Sequence, residues 1–83
     1  MMKKKKQLII KEVSGKSTVV VSPSDTISQL KQKISQNVDI KPTNQRLNFN
    51  GHDLSDENKT IKDYELKNGS TIHLIIRLTG GLF

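Results

Sequence analysis

Thr26-Ile27-Ser28-Gln29-Leu30-Lys31-Gln32-Lys33-Ile34-Ser35-Gln36-Asn37-Val38 carries the apolar spacing that decides the fold. Ile27, Leu30, Ile34 and Val38 fall at i, i+3, i+7 and i+11, which is one apolar stripe on a helix. Ser28, Gln29, Lys31, Gln32, Lys33 and Ser35 fill the remaining faces. Thr26, with Gln29 three positions on, reads as a capping box, and Asp25 complements the positive helix N-terminus. The helix is expected to stop near Asn37, ahead of Pro42. Upstream, Gln7-Leu8-Ile9-Ile10-Lys11-Glu12-Val13 and Ser17-Thr18-Val19-Val20-Val21 read as two strands around the turn Ser14-Gly15-Lys16, and Pro23 closes the second. Downstream, Gln45-Arg46-Leu47-Asn48-Phe49 alternates, Asn50-Gly51 is a two-residue hairpin signal, and a short strand returns near His52–Leu54. Thr60 to Tyr64 suits a single turn, Lys67-Asn68-Gly69 turns again, and Ser70-Thr71-Ile72-His73-Leu74-Ile75-Ile76-Arg77-Leu78 is the last strand. Period two sets Ile72, Leu74 and Ile76 on one of its faces and His73, Ile75 and Arg77 on the other. The order predicts an α+β domain in which one helix covers one face of a mixed sheet. The other face is left to water or to a partner.

Eighty-three residues suffice for one small domain. With no Cys, disulfides, thiolate metal sites and thiol nucleophiles are excluded, and His52 and His73 are too few for a histidine metal site, so no metal or cofactor is expected. The longest apolar runs are three residues, far short of the roughly 18 of a membrane span, and the basic start is followed by no signal-type apolar stretch. A soluble monomer of the cytoplasm or nucleus is expected. The net charge of +6 is concentrated in Lys3, Lys4, Lys5 and Lys6, since from Gln7 onward ten basic residues face eight acidic ones. The basic character thus belongs to a short arm, residues 1–6, expected to be flexible. With only Phe49, Tyr64 and Phe83 as aromatics, a base-stacking nucleic-acid surface lacks its platforms. No acid/base pair or nucleophile constellation is visible, so the chain reads as a non-enzyme. The expected core is Leu8, Ile10, Val19, Val21, Ile27, Leu30, Ile34, Ile40, Leu47, Leu54, Ile61, Leu66, Ile72 and Leu74.

From Gln7 to Gly81 the chain resembles the ubiquitin family. The resemblance rests on Pro23-Ser24-Asp25-Thr26-Ile27, Gln45-Arg46-Leu47, Gly51, Asp63-Tyr64, Ser70-Thr71 with His73-Leu74, and the tail Arg77-Leu78-Thr79-Gly80-Gly81, all in order and at matching spacing. It implies a β-grasp fold over residues 7–78, followed by a flexible tail, residues 79–83. In that family the protein is a substrate rather than a catalyst. Its terminal glycine carboxylate is adenylated with ATP by an activating enzyme, passed to enzyme cysteines as a thioester and then to a lysine amine. Successive glycines suit this because they lack side chains and thread extended through a narrow slot.

In this chain Gly81 is followed by Leu82-Phe83. The resemblance therefore implies a precursor cut after Gly81 by a deubiquitinase-type peptidase, with Gly80, Gly81 and Leu82 as the processing site. Arg77, Leu78 and Thr79 correspond to the segment read by the activating enzyme, and Thr79 replaces a family arginine. Val13, His73 and Ile75 match the family's apolar recognition patch, whose central isoleucine is Asn48 in this chain. Burying an isoleucine stabilises a complex by about 1.5–3 kcal/mol, and a receptor shaped for it would leave the Asn48 amide unpaired. Ordinary ubiquitin-binding domains are thus expected to bind weakly. Lys11, Lys16, Lys31 and Lys33 match acceptor lysines of the family, whereas His52 and Asn68 stand where two others would be and form no isopeptide. Two functional readings stand side by side: a divergent protein modifier handled by ubiquitin-type activating and conjugating enzymes, or a non-conjugated interaction domain excised from a larger protein or polyprotein.

Overall fold

The computed structural model describes residues 5–77. The strands are β1 (Lys6–Glu12), β2 (Gly15–Val21), β3 (Gln45–Phe49), β4 (His52–Asp53) and β5 (Thr71–Ile76). Helix α1 (Ile27–Asn37) follows β2, and a 3-10 turn, Pro42–Asn44, leads into β3. The sheet order is β2-β1-β5-β3-β4, with β1 and β5 parallel and every other pair antiparallel. This is the β-grasp arrangement.

The capping box at the start of α1 forms as expected. Thr26 Oγ1 accepts from the Gln29 N–H at 3.2 Å and Gln29 Oε1 accepts from the Thr26 N–H at 2.8 Å. Ile27, Leu30 and Ile34 are wholly buried against Leu8, Ile10, Leu47 and Ile72 of the sheet. The loop between β4 and β5 completes the core with Ile61 and Leu66. It is stitched to the helix entrance by Ile27 N–H to Lys59 O at 2.9 Å and Ile61 N–H to Asp25 O at 2.8 Å. Asn50 (φ 54°) and Gly51 (φ 84°) both adopt the left-handed conformation that a two-residue hairpin turn demands.

Several expected boundaries move. Lys6, assigned above to the arm, is the first residue of β1; it pairs with Val21, and its ammonium donates to Leu66 O at 2.8 Å. Val13 leaves the strand for the hairpin turn because Glu12 already pairs with Gly15. Ile40 is half-buried at the edge of the core rather than inside it. Ile76 shares a face with Ile72 and Leu74, yet at the sheet rim opposite Gln45 it remains 44% exposed. The expected residues of the last strand beyond Arg77, and Lys3 and Lys4 of the arm, lie outside the described residues.

Candidate functional site

The uncovered face of the sheet gathers the side chains that sequence reasoning singled out there. The ladders place Lys11 beside His73 and His73 opposite Asn48, so that three strands contribute one transverse row. One step along, Ile75 lies opposite Arg46. Val13, Asn48, His73 and Ile75 line a single shallow depression, with Val13 fully exposed at the hairpin tip and Ile75 48% exposed. Lys11, Glu12 and Leu74 complete its lining.

Asn48 behaves differently from the expectation of an unsatisfied amide. Its Nδ2 donates to Asp53 Oδ1 at 3.2 Å and its Oδ1 accepts from the Gly51 N–H at 3.2 Å, so both ends are satisfied within the β3–β4 hairpin. A receptor covering Asn48 thus loses apolar contact area without having to pair a bare amide.

The four matched lysines divide into two pairs. Lys11 and Lys16 are exposed and stand opposite each other on β1 and β2. Lys31, expected on the polar face of the helix, is instead only 8% exposed, because its ammonium turns inward to Glu57 Oε2 at 2.8 Å. Lys33 donates to Asp25 Oδ2 at 2.9 Å and to Val20 O at 3.2 Å, pinning the helix to the edge strand. The two helix amines are structural ties, and the two strand amines are open to reagents. Asn68 also has a structural task, accepting from the Gln7 N–H at 2.8 Å at the start of β1.

Arg77 is the last of the described residues. Its N–H donates to Asn44 O, fixing the chain where it leaves β5, while the side chain is exposed. Leu78, Thr79, Gly80, Gly81 and Leu82 follow outside the described residues.

Sequence reasoning assigned no site role to Arg46, Asp53 or Gln45. Arg46 grips Asp53 with two nitrogens, Nη2 to Oδ2 at 2.7 Å and Nε to Oδ1 at 3.3 Å. The hydrogen bond from Arg46, then that from Asn48 and the charges of Arg46 and Arg77, hold the Asp53 carboxyl below the usual carboxylate range. Gln45, 2% exposed, donates from Nε2 to Lys31 O and Ile40 O, both at 3.0 Å, tying α1 to the connection that follows it. The alternation of β3 could have found Gln45, since it shares a face with Leu47. Among the described residues no cluster of three or more His, Asp or Glu could hold a metal ion, and no helix is long and apolar enough to cross a membrane.

The sequence model of the ubiquitin family matches residues 6–79. Ubiquitin-like protein NEDD8 of Dictyostelium discoideum is 34% identical over 74 residues, covering 88% of this chain and 95% of that protein. Ubiquitin-like protein 1 of Schizosaccharomyces pombe is 33% identical over 73 residues, covering 87% and 92%. A segment amounting to 10% of phosphatidylinositol 4-kinase gamma 4 of Oryza sativa subsp. japonica is 42% identical over 55 residues, 66% of this chain. The solution NMR structure of the ubiquitin-like domain of an Arabidopsis thaliana protein superposes with a TM-score of 0.87 at 24% identity, covering 96% of this chain and 85% of that one.

Proposed function

The chain belongs to the ubiquitin family, and from that premise we propose that it is a protein modifier conjugated through Gly81. A peptidase of the deubiquitinase type hydrolyses the Gly81–Leu82 bond, adding water across it and releasing the segment that begins with Leu82. The freed Gly81 carboxylate attacks the α-phosphate of ATP on an activating enzyme, expelling pyrophosphate. An enzyme cysteine thiolate then displaces AMP to give a thioester, and a target lysine amine displaces the thiolate. The only reacting group this chain supplies is the Gly81 carboxylate, so its proposed role is that of a substrate.

The observation that carries this reading is how close the end of β5 lies in the sequence to Gly80-Gly81. β5 finishes at Ile76, Arg77 is anchored to Asn44 by its backbone, and only Leu78 and Thr79 separate that anchor from Gly80-Gly81. Arg77 presents a cation to the activating enzyme, with Leu78 and Thr79 completing the segment it reads. Of the four matched lysines, Lys11 and Lys16 are the amines available for chain extension, whereas Lys31 and Lys33 are engaged. These reactions belong to the cytoplasm and nucleus. Mass spectrometry of the mature protein from its own cells tests the proposal: the expected chain ends at Gly81 and is also found in isopeptide linkage to lysines. A chain that keeps Phe83, or that continues past it, contradicts the proposal.

A second reading, a non-conjugated interaction domain of a larger protein, is favoured by one finding, the match to a small part of the rice lipid kinase. On either reading Val13, Asn48, His73 and Ile75 form the binding face. Asn48→Ile should raise affinity for a ubiquitin-interacting helix by up to about thirtyfold, as expected for a restored central contact, in a titration calorimetry experiment. Unchanged affinity would remove this face from the account.

A further inference from the structure

Arg46, Asp53 and Arg77 line one cleft at the point where the chain leaves β5, and their connectivity is unequal. The Asp53 carboxylate is held on both oxygens by Arg46, and Asn48 adds a third hydrogen bond. Arg77 has no such partner: among the described residues its guanidinium makes no hydrogen bond or ion pair, although its charge acts on Asp53. Glu57, the other carboxylate of the cleft, is taken by Lys31. Asp53 shares the cleft with Arg77, and among the described residues it is the carboxylate on which the Arg77 charge acts. β4 brings it there, since Asp53 stands opposite Asn48, diagonal to Arg46 across the hairpin.

A partner that reads Arg77 with acidic groups meets Asp53 as a like charge beside its target. The carboxylate both screens the cation and repels the approaching acid, and these effects work in the same direction. We propose that Asp53 is a positioning residue that sets how readily this chain is activated, by weakening the pull of Arg77 on an acidic pocket of the activating enzyme. The inference rests on the modifier reading given above and adds to it a residue that tunes the activation step.

The test uses the chain ending at Gly81, with an activating enzyme and ATP, and measures thioester formation for the unaltered protein and for Asp53→Asn, Asp53→Glu, Arg77→Ala and Asp53→Asn/Arg77→Ala. Asp53→Asn should raise kcat/KM by about two- to fivefold, the range of an exposed charge pair. The gain should appear in KM rather than kcat, shrink at high salt, vanish in the Arg77→Ala background and be reversed by Asp53→Glu. No gain, or an equal gain without Arg77, overturns the inference. Should no variant form a thioester, the modifier reading itself fails. The Asp53–Arg77 coupling is then read separately by NMR titration of the Asp53 carboxyl, expected to move upward in Arg77→Ala. An unmoved titration overturns the inference even where thioesters form.

Discussion

On the covered face of the sheet Leu8, Ile10 and Ile72 are fully buried and Leu74 keeps only 4% of its surface, while across the sheet Val13 is fully exposed and Ile75 keeps 48%. The two faces share strands and therefore backbone constraints, yet different forces hold their side chains. Beneath α1, shape and apolar area decide which residue is tolerated, and almost any polar replacement would be left without partners. On the open face a side chain need only satisfy itself, as Asn48 does through Asp53 and Gly51. The open face can change its chemistry there without unsettling the fold.

The sharpest way to break that contrast is truncation on each side. Ile34→Ala should destabilise by about 2–5 kcal/mol, the range for deleting a buried aliphatic side chain, whereas Ile75→Ala should change stability by no more than about 0.5 kcal/mol. Urea denaturation of both measures the gap, and comparable losses would mean that the open face is part of the core. Glu57→Ala comes next. It strands the Lys31 ammonium, whose side chain is only 10% exposed, while Glu57 itself is 52% exposed. Discounted for that exposure, the loss should be about 1–2 kcal/mol, accompanied by faster labelling of Lys31 by amine-reactive reagents. Thr26→Ala removes the helix cap and should cost about 1 kcal/mol in the same assay.

A smaller effect concerns acid. Thr60 donates to Asp63 from its backbone N–H, and this, with the further hydrogen bonding between their side chains, holds the Asp63 carboxyl below the usual carboxylate range. A depressed folded-state value means that the unfolded chain binds the proton first. The stabilisation is present above the unfolded value, about 4, and is lost as the pH falls through the folded one. Thermal melts from pH 7 to pH 2 should therefore show a steeper acid decline for the unaltered protein than for Asp63→Asn. Parallel curves would contradict the assignment.

Local signals made most of the body legible. The 3.6-residue spacing and the Thr26–Gln29 pair located α1 to its ends, Asn50-Gly51 located the β3–β4 turn, and thirteen of the expected core positions are buried. What escaped depends on residues remote in sequence. Lys31 has an ordinary polar-face position on the helix and is buried only because Glu57, 26 residues later, meets it. Lys6 reads as the end of a basic run until Leu66, 60 residues away, offers a carbonyl. The Arg46–Asp53–Arg77 cleft needs the β3–β4 hairpin and the end of β5 to be side by side, and no local pattern encodes that. Residue types on the open face were readable in the sequence; how each one satisfies its polar atoms was not.

The proposed modifier role requires that Gly81 be available for covalent transfer once Leu82-Phe83 is removed. Purified protein, incubated with a ubiquitin-type activating enzyme and ATP before and after treatment with a deubiquitinase-type peptidase, tests it most directly by intact-mass detection of the enzyme. The expected result is a reducible thioester adduct of the chain ending at Gly81, formed only after Leu82-Phe83 is removed. Absence of any adduct from the chain ending at Gly81 would contradict it.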